Sequence, residues 1–326
     1  MKRILLPLVA IAMGGAAPIV NAGPERLVIG AEAGKGIAIV DPAANNKVLW
    51  HHPVGAVHDL HLLPGPRFLT QDGWPKVIEI GLDHKIVWQY DAATQNREDG
   101  KKVEVHSYQR LGDGRTLISE SGSSRLIEVD ASGEIVREFP WQVSQSRTHS
   151  DTRLVRRLEN GHTLAAHEGD EMVKEYDADG KVVWEFKIPL FGRQPAGGHG
   201  PEAFGGHCFS AIKAKNGNYL ITSGNGHSVL EVTPAKEVVW KLEQNDLPGI
   251  TLAWATTLYE LPNGHLMIGN CHAGPDNPQI VEITRDKRVV WTFKDFSTFG
   301  NSLANTIVLD GEEAKALRAA LLAKGE

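Results

Sequence analysis

A short motif that ends in tryptophan recurs along the chain and constrains the fold more than any other feature. The copies end at six positions, the third of which is arginine: Trp50, Trp88, Arg137, Trp184, Trp240 and Trp291. Consecutive copies lie 38 to 56 residues apart, and a period of about 50 residues indicates equivalent supersecondary units. Residues that recur in every copy are therefore expected to be architectural, and unrepeated residues are candidates for function.

The first 22 residues predict a secretory signal peptide. Lys2 and Arg3 precede an apolar run over Ile4–Val20, and the small residues up to Ala22 fit a cleavage site. We expect cleavage after Ala22 and a periplasmic or secreted, monomeric chain without a transmembrane segment in its mature part.

Net charge and cysteine content limit which partners and which covalent links the sequence supports. The net charge is -6 and no basic block stands out, so nucleic-acid binding has no electrostatic support. The two cysteines, Cys208 and Cys271, could form a bridge in an oxidising compartment, but the sequence does not supply their separation. Their pairing is left open.

Each repeat is typical of four short strands, which we call A to D. In the repeat over Ser150–Phe186, an Asn-Gly turn at Gly161 and an Asp-Gly turn at Gly180 separate the strands. Four-stranded units repeated radially form a β-propeller. Six D strands therefore predict an all-β, six-bladed propeller over residues 23–310.

The two ends of the chain predict how the ring closes. The first repeat lacks a strand A, and Leu303–Asp310 supplies an extra A-like strand at the other end. We expect the C-terminal strand to complete the N-terminal blade, which removes open sheet edges. A solenoid is the competing fold, but orphan strands of complementary type favour a ring. Residues 311–326 predict a short C-terminal helix.

A glutamate recurs on strand C of five repeats, at Glu79, Glu128, Glu175, Glu231 and Glu282. Because the position is repeated, we interpret the row as a solvated or ladder-paired strand face rather than a metal site.

The D-x-x-G-K-x-x-W run over Asp177–Trp184 resembles the tryptophan-docking repeat of the PQQ-like bacterial β-propeller superfamily. The resemblance covers nearly the whole mature chain and implies the fold. The quinone enzymes of that superfamily use an adjacent cysteine pair and a calcium site, neither of which matches here, so PQQ binding is not carried over. The exported six-bladed bacterial arylsulfotransferases are similar in architecture only.

Residues that differ between repeats gather at one end of the predicted channel. Strand A lines a propeller channel, and the D–A and B–C loops share one face, which we call the top face. The candidate catalytic residues on this face are His106, His149, Arg153 and His207. The candidate ligand-binding residues are His58, Asp72, Glu120, His167, Trp254 and His272.

These residue types fit a small anionic or sugar-like ligand. Arginine can clamp a carboxylate, sulfate or phosphate, and tryptophan offers a stacking face. A histidine could act as base or nucleophile in group transfer, hydrolysis or lyase chemistry. A divalent metal is a further option, although no H-x-H or H-E-x-x-H pair occurs. A non-catalytic scaffold that binds a protein or glycan partner is the competing hypothesis.

The sequence supports predictions for two further segments. The glycine-rich insertion Lys187–Gly206 leads into His207, and we interpret it as a lid over the mouth, with a disordered surface loop as the alternative. We interpret Arg156 and Arg157 as solvated strand-edge residues.

Overall fold

A computed structural model describes residues 25–96 and 100–323 of the chain. The predicted signal peptide lies outside the described residues. The strands are β1 (Leu27–Glu32), β2 (Gly36–Asp41), β3 (Lys47–His52), β4 (Leu60–Leu63), β5 (Arg67–Gln71), β6 (Lys76–Gly81), β7 (Ile86–Asp91), β8 (Glu104–Arg110), β9 (Thr116–Ser121), β10 (Arg125–Val129), β11 (Ile135–Pro140), β12 (Val155–Arg157), β13 (Thr163–His167), β14 (Met172–Tyr176), β15 (Val182–Lys187), β16 (Ser210–Lys213), β17 (Tyr219–Thr222), β18 (Val229–Val232), β19 (Val238–Leu242), β20 (Trp254–Glu260), β21 (Leu266–Cys271), β22 (Ile280–Ile283), β23 (Val289–Phe293) and β24 (Asn305–Leu309). The helices are α1 (Phe296–Phe299), α2 (Gly311–Leu322) and a 3-10 turn at Pro42–Ala44.

The strands form six four-stranded antiparallel sheets, which confirms the six-bladed propeller. Blade 1 has the order β24-β1-β2-β3, and blades 2 to 6 take four consecutive strands each, from β4–β7 to β20–β23. The asparagine-glycine and aspartate-glycine turns explain the tight hairpins, because Gly161 and Gly180 both adopt the positive φ that L side chains resist.

The C-terminal strand closes the ring as the orphan strands predict. Ile307 of β24 lies opposite Ile29 of β1 in an antiparallel pair. Helix α2 then packs Ala314 and Leu317 against the core between blades 1 and 2. Closure therefore joins both ends of the described chain into one blade.

The repeated tryptophan docks four of the six blades to the next blade through its indole N–H. The indole Nε1 of Trp50 donates to the carbonyl oxygen of Leu82 at 2.9 Å, and that of Trp184 donates to Pro234 at 3.1 Å. In both cases the acceptor lies in the C–D turn of the following blade. Trp88 and Trp240 make the equivalent bonds to Ala131 and Arg285. The motif is thus architectural.

The glutamate row is buried, so the expectation of a solvated face is wrong. All five side chains are at most 5 % exposed. Each lies opposite the motif residue of its blade, as Glu175 lies opposite Trp184. They bind polar groups of the following blade, including Arg110, Arg157, Tyr219, Arg285 and Arg26. Burying a carboxylate requires such partners, and the row therefore forms a ring of contacts between blades.

The described residues answer two smaller questions. Cys208 and Cys271 are both buried and free. Within the described ranges, none of the helices is long and apolar enough to cross a membrane.

Candidate functional site

A cavity of about 650 Å³ opens at the top of the central channel. It lies where the inner strands begin, and residues from the start of four of them line it: His58, Arg153, Phe209 and Thr256. Leu154, Phe209 and Ala304 pack together as an apolar cluster beneath it. The cavity falls within the usual size range of small-molecule sites.

One wall of the cavity is a chain of histidines arranged around a buried carboxylate. Glu104 Oε2 lies 2.6 Å from Nδ1 of His149 and 3.3 Å from Nε2 of His106. Nδ1 of His106 lies 2.8 Å from Nδ1 of His58. Trp74 packs against all three imidazoles, with ring centroids about 5 Å apart. Four side chains from blades 2 to 4 therefore form one connected group.

Burial fixes the charge states within this group. Burial lowers the pKa of His106 to about 3, although the contact with Glu104 opposes the shift. Burial and the nearby Arg153 cation hold the pKa of His58 well below its usual value. Burial opposes ionisation of Glu104, but contacts with His106 and His149 outweigh it and lower its pKa to about 2. At neutral pH Glu104 is therefore ionised, and the buried imidazoles of His58 and His106 are neutral.

A second carboxylate holds the arginine of the site. Arg153 is 5 % exposed, and its guanidinium contacts Glu168 and donates to the carbonyl oxygen of His149. The other oxygen of Glu168 lies 3.7 Å from Nδ1 of His207. Arg153 is thus an internally paired cation at the cavity rather than a free clamp.

The opposite wall is aromatic, and the glycine-rich insertion forms part of it. The ring of His199 stacks on Trp254 and on His272, with centroids 5.5 Å apart in each pair. Ala196 and Phe204 pair across the insertion through two backbone hydrogen bonds of 2.8 Å. The insertion is ordered as a hairpin that lines the cavity, which agrees with a cover over the mouth.

The structure places several predicted residues at this site. His58, His149, Arg153, His207, Trp254 and His272 line the cavity, and His106 lies directly behind His58.

Three predicted ligand-binding residues lie elsewhere. The ring nitrogens of His167 are bound to Asp151 and Tyr176, and Glu120 is bound to Tyr90 and Arg125. Asp72 accepts a hydrogen bond from the backbone nitrogen of Gly55. These positions at the end of strand B face between blades, so their polar atoms are used in packing and do not line the cavity.

Arg156 is not a solvated edge residue as the sequence predicted. It makes two hydrogen bonds of 2.7 Å to Asp59, which is 0 % exposed. Arg157 instead reaches Glu128 of the preceding blade. Arg156 therefore links blade 4 to blade 2, and Arg157 links blade 4 to the adjacent blade 3, each through a buried carboxylate.

The structure adds site residues that sequence reasoning did not select. Glu104 occupies the position two residues before His106, and Glu168 follows His167. Both are acidic residues at positions that differ between repeats, so this signal could have selected them. Trp74 and Ser302 carried no such signal, because they lie in loops without an equivalent in the repeat.

Comparison with known proteins supports the fold. No protein-family model and no curated protein sequence matches the chain. A Bacteroides caccae protein of unknown function is similar in structure, with a TM-score of 0.71, 21% identity, and coverage of 88% of this chain and 99% of that chain. A catalytically inactive histidine-to-alanine variant of virginiamycin B lyase from Staphylococcus aureus, solved with quinupristin, has a TM-score of 0.56 at 12% identity, covering 89% and 96%. The WD40 propeller domain of Doa1 has a TM-score of 0.52 at 13% identity, covering 75% and 71%.

Proposed function

We propose that this chain is an exported enzyme that binds a small anionic or sugar-like molecule in the top cavity and transforms it by histidine acid–base chemistry. The observation that carries the proposal is the cavity of about 650 Å³ into which five histidines from different elements converge: His58, His149, His199, His207 and His272. Imidazoles supply both hydrogen-bond donors and proton-transfer groups near neutral pH.

His207 is the residue we assign to proton transfer. Its side chain is 43% exposed, and Nδ1 lies 3.7 Å from Glu168 without a hydrogen-bond partner. Such contacts in a ligand-free site often shorten when substrate binds. Glu168 would then orient the imidazole, while Arg153 pairs with the same carboxylate.

The polar wall and the aromatic wall suit two parts of one ligand. On one side, imidazole N–H groups of the cavity wall can donate hydrogen bonds to an anionic group, next to the pair of Arg153 and Glu168. Trp254 offers a flat face on the other, against which His199 already stacks. An anionic group joined to a ring, such as a uronate or an aryl sulfate, matches both.

The histidine chemistry has a parallel among proteins of the same fold. One of the similar structures is a virginiamycin B lyase that a histidine-to-alanine substitution inactivates. At 12% identity this likeness concerns the fold alone: it gives an example of an enzyme of this fold that a histidine substitution inactivates, and it indicates neither the reaction nor the substrate of this chain. The PQQ-like repeat likewise supports the architecture and not a cofactor.

The test is a ligand screen followed by a turnover assay. Thermal shift against uronates, aryl sulfates and phosphate esters should identify binders, and NMR should then detect product from the best of them. His207→Gln should keep binding but lower turnover by at least about 100-fold, the usual share of a general base.

The matched control is His162→Gln, because His162 also pairs with a glutamate but lies on the other face of the ring. It should leave turnover unchanged. A complete lack of binding across the panel would overturn the proposal, as would equal losses in both variants.

Export is tested separately. In a bacterial host the full-length chain should be recovered from the periplasm with Gly23 as its first residue, as read by mass spectrometry. Retention in the cytoplasm with Met1 intact would contradict the signal-peptide prediction.

A further inference from the structure

We infer that Glu104, His106 and His149 form a binding site for one divalent first-row transition metal ion, such as Zn²⁺, at the wall of the top cavity. The inference deepens the proposed function, on whose cavity it rests. It gives His149 the role of a ligand and leaves His207 as the proton-transfer group.

The three donor atoms are already gathered. One carboxylate oxygen and two imidazole nitrogens lie within 4.8 Å of one another, and this is the one such group found among the described residues. Two histidines and one carboxylate are ligands that Zn²⁺ and Fe²⁺ accept, with further positions open to water or substrate. His149 is exposed towards the cavity, so the open positions would face a bound ligand.

One donor atom makes no hydrogen bond of normal geometry. Nε2 of His106 is fully buried and has no partner with hydrogen-bonding geometry, although Glu104 Oε2 lies 3.3 Å away. A buried polar atom without a partner costs about 1–3 kcal/mol, and a metal ion between these two atoms would satisfy both.

The surroundings fix the orientation that a metal ligand needs. Nδ1 of His106 lies 2.8 Å from Nδ1 of His58. If His106 donates there, its Nε2 lone pair is free for the ion, which is the arrangement that outer hydrogen bonds impose on ligating histidines. Lys102 contacts Oε1 of Glu104 at 3.0 Å, and Oε2 faces both imidazoles, so Oε2 is the oxygen that would bind the ion.

The chain contains a natural control for this geometry. Nδ1 of His162 lies 2.6 Å from Oε1 of Glu175, the same separation as in the pair of His149 and Glu104. No second histidine completes a group there within the described ranges. A histidine–glutamate pair alone is therefore expected to bind no ion, and the third donor makes the difference.

The experiment strips the purified full chain with EDTA, then measures Zn²⁺ by equilibrium dialysis with elemental analysis and Co²⁺ by visible absorption. The wild type should bind one ion per chain. His149→Gln, which changes an exposed side chain, should weaken binding by more than about 100-fold, and the outer-sphere change His58→Gln by about 10- to 100-fold. His162→Gln should bind as the wild type does.

Two results would overturn the metal site: less than a tenth of an equivalent bound by the wild type, or equal losses in His149→Gln and His162→Gln. Circular dichroism checks that each variant is folded. Stoichiometric Zn²⁺ without any anionic ligand would retain the metal site and reject the proposed substrate class. Ligand turnover by a wild type that binds less than a tenth of an equivalent of metal would retain the proposed function and reject the metal site.

Discussion

At the residue scale, Asp59 is the buried charge on which the centre of the ring most depends. Its carboxylate is 0 % exposed and accepts hydrogen bonds from Arg156, Ser107 and Asn305, which belong to three other blades. Asp59→Asn keeps the shape but leaves Arg156 without its counter-ion. We expect a loss of about 3–5 kcal/mol in the free energy of unfolding, measured by urea denaturation.

The same residue predicts that the free energy of unfolding decreases at acidic pH. Burial opposes ionisation of Asp59, but Arg156 outweighs it and holds the pKa far below its usual value. A depressed folded pKa gives stability that is complete above the unfolded pKa of about 3.9 and is lost as the pH falls below it. Asp59→Asn should reduce this loss of stability at low pH, whereas Asp179→Asn in an exposed turn should not. If Asp59→Asn lost stability at low pH as the wild type does, Asp59 would not be the cause of that loss.

Glu32 predicts the opposite pH dependence. It is 5 % exposed, Oε2 has no partner, and burial raises its pKa from 4.5 to about 7. A raised acid pKa means that the folded state loses stability as the pH rises between these values. Glu32→Gln should remove that loss and gain on the order of 2 kcal/mol relative to wild type between pH 5 and pH 8.

Urea midpoints at the two pH values measure this difference for Glu32→Gln. Glu134→Gln, at an exposed position, is the control and should follow the wild type at both. A Glu32→Gln variant whose advantage is the same at pH 5 and pH 8 would show that Glu32 does not titrate in this range.

At the scale of the strand and its motif, Trp184→Phe tests blade docking. The substitution keeps an aromatic ring against Tyr219, on which Trp184 stacks at 3.6 Å, but removes the hydrogen bond to Pro234. We expect a loss of about 1–2 kcal/mol in unfolding free energy. Val183→Ala, at a neighbouring side chain that is 48% exposed, should change stability by less than about 0.5 kcal/mol. Equal effects of the two changes would count against docking through the indole N–H.

The sequence was sufficient for the strands but not for the contacts between them. Turn glycines such as Gly161 fix the hairpins locally, and the repeat spacing then determines the number of blades. The burial of Glu128 depends instead on Arg157, which comes from the next blade. Nothing in the repeat itself encodes that distant partner, so the solvated interpretation of the row failed.

The site shows the same difference between what local sequence predicts and what depends on distant contacts. Aligned repeats correctly placed His58 and Arg153 at the channel mouth, because strand position alone decides which end of the channel a residue occupies. Side-chain direction along the ends of strand B was not predictable: His167 does not line the cavity and instead bonds to Tyr176 of its own blade. The pairing of Glu104 with His149 requires a loop conformation that the repeat does not specify.

At the scale of the whole molecule, closure by β24 should decide whether the ring forms at all. Strand β1 is buried along its full length and pairs with β24 on one side. Removing residues 303–326 would expose this edge, and unpaired edges associate with other chains. We expect this truncation to aggregate in size-exclusion chromatography, and a peptide of residues 303–323 to restore a single compact species. Ending the chain after Asp310 removes only α2 and should give a folded monomer that melts earlier, because Leu317 is lost from the core. A compact, monomeric 1–302 fragment would instead mean that the other five blades hold the ring without closure.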